Sequence, residues 1–275
     1  MRNTISLLLV FFWVTATQAE TPLERGEYLV EVIAACGNCH SKVAPEAEDR
    51  SMHLAGGFPI KQPGMVANPP NITQDEETGI GAWTDEEIIK AIREGIRPDG
   101  RVLGPPMPFV LYRDISDEDA AAMVAYLRTV KPVRNSTESS TYEFPLPPAW
   151  GPPVENVPHP DQSNMVEYGA YLAGPLGHCV ECHSAPDANG VPDIEHALGA
   201  GGFVIYGPWG ASVAKNITPT GLKDKSDAEI KTLITTGIRA DGSAMMPPMG
   251  FSYYARLTDE DLDAIVAYLR SLPAR

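Results

Sequence analysis

All four cysteines and two of the six histidines fall in two short sequences of one pattern, Cys36-Gly37-Asn38-Cys39-His40 and Cys179-Val180-Glu181-Cys182-His183. In Cys-x-x-Cys-His, one helical turn presents two thiols, and an imidazole follows at once. That spacing lets the thiols add to the two vinyl groups of a porphyrin while the histidine reaches the iron from below. Two other chemistries use paired cysteines. A thioredoxin-like redox pair belongs to a βαβ pattern, and neither motif is surrounded by one. Zinc ribbons set their pairs roughly 15–20 residues apart, whereas these pairs are 143 apart. The motifs use every cysteine and lie in equivalent places of a longer repeat. They are therefore read as attachment sites for two covalently bound c-type haems, with His40 and His183 as metal ligands to the two irons.

Each iron needs a second axial partner, and the repeat narrows the choice. His53 and His196 follow the motifs at equal distance but lose register once Gly56-Gly57-Phe58 is aligned with Gly201-Gly202-Phe203. His178 has Ala35 as its counterpart, and His159 lies between the repeats. Met52, Met65, Met123 and Met165 have no methionine in the other copy. Met107 and Met249 do align, 67 and 66 residues after their histidines, each behind a Pro-Pro pair. Proline fixes φ and lowers the entropic cost of holding a loop against a ring. Met107 and Met249 are the expected distal metal ligands, with Met245 or Met246 as the fallback for the second site. A thioether ligand favours the ferrous state.

The elements that must position these residues recur with the same spacing. Arg25 to Val30 resembles Tyr168 to Ala173 at an offset of 143, Asn71-Ile72-Thr73 matches Asn216-Ile217-Thr218 at 145, and from Thr84 against Ser226 the offset is 142. Two small insertions in loops account for the shifts. Thr84-Asp85-Glu86-Glu87 and Ser226-Asp227-Ala228-Glu229 are capping boxes, and Gly95 and Gly237 are C-terminal stops. A last helix in each copy, capped by Ser116 or Thr258, carries apolar residues at i, i+3, i+4 and i+7: Ala120, Met123, Val124, Leu127 and Leu262, Ile265, Val266, Leu269. A first helix runs into each attachment motif. Gly26 and Gly169 would let first and last helices cross closely, with Tyr28 facing Tyr126 and Tyr171 facing Tyr268. Asn71-Ile72-Thr73 and Asn216-Ile217-Thr218 are read as turns near the cofactor edge. Strand signals are weak, so the expected fold is all-α.

The expected organisation is a signal peptide over residues 1–19, haem domains over 20–131 and 163–275, and a linker over 132–162 that holds eight prolines and lies over the domain surfaces. Arg2, an apolar run from Ile5 to Val14 broken only by Ser6, and the small or polar residues Thr15 to Ala19 form the signal, cleaved after Ala19. The run falls short of the ~20 residues of a spanning helix. The mature protein is expected in the periplasm without a transmembrane anchor. A net charge of −15 excludes nucleic acid as a partner and favours redox proteins that present a basic docking patch.

These motifs resemble class I cytochrome c, here as two tandem domains. The resemblance rests on Cys-x-x-Cys-His, the Pro-Pro-Met loops and the terminal Tyr-Leu-Arg helices, and covers both repeats. The run Gly79-Ile80-Gly81-Ala82-Trp83-Thr84-Asp85-Glu86-Glu87-Ile88 is similar to the haem domains of cytochrome c subunits of periplasmic alcohol and sugar-acid dehydrogenases. The second copy departs there, with Gly221-Leu222-Lys223-Asp224-Lys225. The resemblance implies an electron-transfer protein of the respiratory chain rather than an enzyme, moving single electrons between a dehydrogenase or other donor and a terminal acceptor. One alternative is a haem enzyme, such as a di-haem peroxidase or thiosulfate-oxidising cytochrome, with one labile distal ligand. Another is a dedicated subunit of a dehydrogenase complex.

Overall fold

The computed structural model describes residues 20–187 and 191–275; the expected signal peptide lies outside them. Within the first repeat, α1 spans Pro22–Tyr28, opened by a capping box between Thr21 and Glu24. It widens into a π-type turn over Leu29–Ile33, where the Ala34 amide donates to the Leu29 carbonyl at 2.9 Å. Ala35, with φ 47°, reverses the chain into α2, Cys36–His40. The helices α3 (Asp85–Glu94), α4 (Phe109–Tyr112) and α5 (Asp117–Leu127) follow. The second repeat has α6 (Met165–Tyr171), a π-type turn over Leu172–Leu176, α7 (Cys179–His183), α8 (Asp227–Thr236), α9 (Phe251–Tyr254) and α10 (Asp259–Ser271). The four expected caps at Thr84, Ser116, Ser226 and Thr258 each accept an amide of the first turn. Gly95 and Gly237 end α3 and α8 in the left-handed region.

The first and last helices of each repeat cross at the glycines. A Cβ on Gly26 would lie 1.9 Å from the Ala122 carbonyl oxygen, and one on Gly169 would lie 1.9 Å from that of Ala264. Only a bare Cα permits this approach. The tyrosines of the first helices also reach across the repeats: the Tyr28 hydroxyl donates to Asp261 at 2.6 Å and the Tyr171 hydroxyl to Asp119 at 2.7 Å, each in the other repeat. Buried hydroxyls need acceptors, and the carboxylates lie on the last helix of the facing copy. Leu29, Ile33, Met123, Leu172, Leu176 and Ile265 belong to one continuous apolar core that spans both repeats.

The expected all-α class holds only in part: helices are the larger share of the regular structure, and short strands accompany them in both repeats. In the first repeat β1 (Ile60–Gln62) pairs antiparallel with β2 (Met65–Ala67), and a third strand, β3 (Thr141–Tyr142), comes from the proline-rich stretch and adds to β2. In the second repeat β4 (Val204–Gly207) pairs with β5 (Gly210–Val213). Beyond β3, Trp150 stacks on Phe109 with centroids 5.8 Å apart and donates to the Leu103 carbonyl at 2.8 Å, while the Tyr142 hydroxyl donates to the Pro105 carbonyl at 3.0 Å. The stretch thus straps the Pro-Pro-Met loop of the first repeat. Met246 on the corresponding loop of the second repeat is exposed.

Candidate functional site

The two attachment motifs have the same local architecture. In each, the residue before the first cysteine is left-handed, Ala35 at φ 47° and His178 at φ 42°, and the five motif residues form one short helix. None of the four cysteines is in a disulfide. Burial pushes the Cys36 thiol up to about 12, Cys39 and Cys179 up to about 11, and Cys182 further, which favours the neutral thiol in this fold.

Each motif histidine is oriented by a backbone carbonyl. His40 Nδ1 lies 2.8 Å from the Pro70 oxygen, and His183 Nδ1 lies 2.6 Å from the Lys215 oxygen. A proton on Nδ1 leaves Nε2 as the free lone pair, the usual device for aiming a metal-ligating imidazole. Burial lowers the pKa of both rings, which keeps them in the neutral, ligating form. The carbonyl in each case belongs to the residue before Asn-Ile-Thr. Asn71 Oδ1 accepts the Thr73 amide at 2.9 Å, and Asn216 Oδ1 accepts that of Thr218 at 2.8 Å. The expected turns therefore hold the carbonyls that orient the histidines. The repetition of Asn-Ile-Thr was the available signal; a main-chain acceptor has no residue type to betray it.

The second repeat encloses a cavity of about 470 Å³, within the usual range of cofactor pockets at roughly 300–1,000 Å³. Cys179, His183 and Met249 all line it, beside aliphatic residues of α8 and α10. Ile33 of the first repeat closes one side. Lys215, Lys225 and Arg239 also line it, and among the described residues no carboxylate does. Apolar walls, an oriented imidazole, a thioether and cations suited to carboxylate substituents fit a haem with its propionates. Met245 lines the same cavity, whereas Met246 is exposed. In the first repeat Met107 packs against the core with Cys36, Ile72 and Trp83.

The other histidines have different partners. His53 bonds Glu31 at 2.5 Å and Ser41 at 3.3 Å; His196 is exposed beside Asp193; His159 packs on Tyr171; His178 stands edge-on to Tyr112. Among the described residues no cluster of three or more His, Cys, Asp or Glu is arranged to hold a bare metal ion. A second concavity, of about 400 Å³, is lined by Arg50, His53, Tyr126 and neighbours and contains none of the expected ligands. Between the motifs, Asn38 donates to the Pro248 carbonyl at 3.3 Å, crossing from the first attachment helix to the Pro-Pro-Met loop of the second repeat. Glu181 occupies the position of Asn38 in the second motif, and burial pushes its carboxyl up to about 8.

Comparison with known proteins agrees with this construction. The sequence model of the family described as cytochrome c matches twice, over residues 23–131 and 166–273. The chain is 34% identical over 278 residues to a fructose dehydrogenase cytochrome subunit of Gluconobacter japonicus, covering 95% of this chain and 55% of that protein. It is 32% identical over 291 residues to the cytochrome c subunit of a quinone-dependent alcohol dehydrogenase of Gluconobacter oxydans, covering 98% and 59%. It is 31% identical over 267 residues to a diheme cytochrome c-type protein of Cereibacter sphaeroides, covering 91% and 86%. The chain thus spans little more than half the length of the two dehydrogenase relatives. Each repeat carries one attachment motif, so the protein binds two c-type haems covalently. With two copies of the fold built around two such motifs, the chain belongs to the cytochrome c family.

Proposed function

We propose that the protein is a periplasmic di-haem electron carrier whose irons are ligated by His40 with Met107 and by His183 with Met249. In this reading residues 1–19 direct export, 20–131 and 163–275 are the haem domains, and 132–162 is the linker. The observation that carries it is the shared cavity of His183 and Met249, with the imidazole held at Nδ1 by a backbone carbonyl. The haem supplies one-electron chemistry when bound. The chain's residues would hold it in an apolar pocket, with the aimed histidine and the methionine thioether as its two ligands, so that no coordination position would be left for substrate. The dehydrogenase names of several relatives point to a dehydrogenase as electron donor and to membership of such a complex. No observation favours the haem-enzyme alternative: His53 is engaged by Glu31, and His196 is exposed. Among the described residues no helix is long and apolar enough to cross a membrane.

Optical and magnetic spectroscopy of the haem-loaded protein tests the ligands. Two low-spin haems are expected, with half of the methionine–iron charge-transfer absorbance lost in Met107→Ala and the other half in Met249→Ala. A high-spin haem in the wild type that takes up cyanide rapidly would overturn the assignment.

A further inference from the structure

The two haem sites differ in charge at positions that the backbone makes equivalent. The Lys215 carbonyl serves His183 as the Pro70 carbonyl serves His40. The Lys225 carbonyl accepts from Arg270 at 2.5 Å, and the Trp83 carbonyl accepts from Arg128 at 2.5 Å. Arg239 and Arg97 end matching Gly-Ile-Arg sequences. The cavity of the second repeat is therefore bordered by Lys215, Lys225 and Arg239 where the first repeat has Pro70, Trp83 and Arg97. In the first repeat the Arg97 guanidinium lies 4.9 Å from the Trp83 ring centre and 3.6 Å from Asp99. Among the described residues neither Lys215 nor Lys225 has a carboxylate within ion-pair distance, and Glu229, which Lys225 reaches at longer range, has the counterpart Glu87. At these three equivalent positions the second repeat thus carries two more positive charges, against Asp224 in place of Ala82 and Glu181 in place of Asn38, neither of which lines the cavity.

We infer that Lys215 and Lys225 make the second repeat the higher-potential site, so that an electron received at the first repeat passes to the second. The inference rests on the proposed function above. Reduction adds one negative charge to a haem, and a nearby cation stabilises the reduced form by Coulomb attraction that falls with distance and dielectric. In the transfer one electron leaves the iron of the first repeat, which goes from ferrous to ferric, and enters that of the second, which goes from ferric to ferrous. No bond is made or broken, and no proton moves. A reducing redox protein loads the first site, and an oxidising redox protein empties the second.

Spectroelectrochemical titration of the full-length haem-loaded protein tests the order. Two one-electron waves are expected. Lys215→Gln with Lys225→Gln should lower the upper wave and leave the lower one in place, whereas Trp83→Lys should raise the lower wave. The wave that moves identifies its own haem, so no separate assignment is needed. Movement of the lower wave in the lysine variants would overturn the inference and mean that shielding by the linker over the first repeat outweighs the charges. Unchanged waves in all variants would also overturn it. Haem content and low-spin spectra equal to wild type establish that each variant is assembled. Absence of two reducible low-spin haems in the wild type would instead refute the function on which the inference rests.

Discussion

Glu31 lies on the π-type turn before the first attachment motif and is almost inaccessible to solvent. Burial alone would raise its pKa, but His53 at 2.5 Å, the Tyr126 hydroxyl at 2.8 Å and Arg50 at 3.0 Å lower it from 4.5 to about 2. A carboxylate whose folded pKa is depressed contributes stability above its unfolded pKa and loses it as pH falls through the folded one. At one pKa unit per ~1.4 kcal/mol, a shift from 4.5 to about 2 contributes on the order of 3 kcal/mol. The protein should therefore lose stability between about pH 4.5 and pH 2. Urea titrations across this window should show a steep acid limb in the wild type and a shallower one in Glu31→Gln. An identical slope in both would mean that Glu31 is not the responsible group. Comparison of the repeats does not single this residue out, because its counterpart is Gly174. Sequence motifs mark chemistry that both copies share; Glu31 acts in one copy only.

At the level of elements, each haem domain depends on the crossing of its first and last helices. The Gly26 and Gly169 crossings bring backbone to backbone, so an added methyl has no flexible side chain to displace. Gly26→Ala should separate α1 from α5 and destabilise the protein by about 3 kcal/mol, the upper part of the usual range for overpacking. Gly174→Ala is the matched control, since a Cβ there meets nothing within 4 Å. Thermal melts of the two haem-loaded variants should show a large loss for Gly26→Ala and almost none for Gly174→Ala. Equal melting temperatures would show that the helices part without cost. The strands are not legible in the sequence because they are two to four residues long and lack a sustained apolar alternation. Their pairing depends on partners brought near by the fold, and β3 forms only because the linker passes the edge of β2.

On the scale of the whole molecule, the repeats meet through an approximately two-fold set of contacts. Tyr28 reaches Asp261 as Tyr171 reaches Asp119, and the Thr258 and Ser116 amides donate to the same two hydroxyls. The Arg256 side chain also reaches the Glu31 carbonyl across the boundary. The symmetry also breaks at these carboxylates: Asp119 receives the Arg25 guanidinium at 2.8 Å, but Tyr168 stands where Arg25 would serve Asp261. Hydrogen bonds to charged groups contribute roughly 1.5–3 kcal/mol, and a buried carboxylate left without a donor costs more than one with a second partner. Tyr28→Phe should therefore destabilise the protein more than Tyr171→Phe, by at least about 1 kcal/mol in chemical denaturation. The reverse order would show that Arg25 does not compensate.

By itself the sequence determined the duplication, the two Cys-x-x-Cys-His motifs, the capped helices and the close glycine crossings. Each of these is a local pattern or a spacing, and the second copy repeats it. The tertiary structure decided what local pattern cannot encode. It assigned Tyr28 and Tyr171 to carboxylates of the opposite repeat, and it drew the Pro70 and Lys215 carbonyls onto the histidines. It also laid the proline-rich stretch over the Pro-Pro-Met loop of the first repeat. These outcomes depend on which surfaces meet when the repeats pack, and packing sums many weak contacts between residues far apart in the chain.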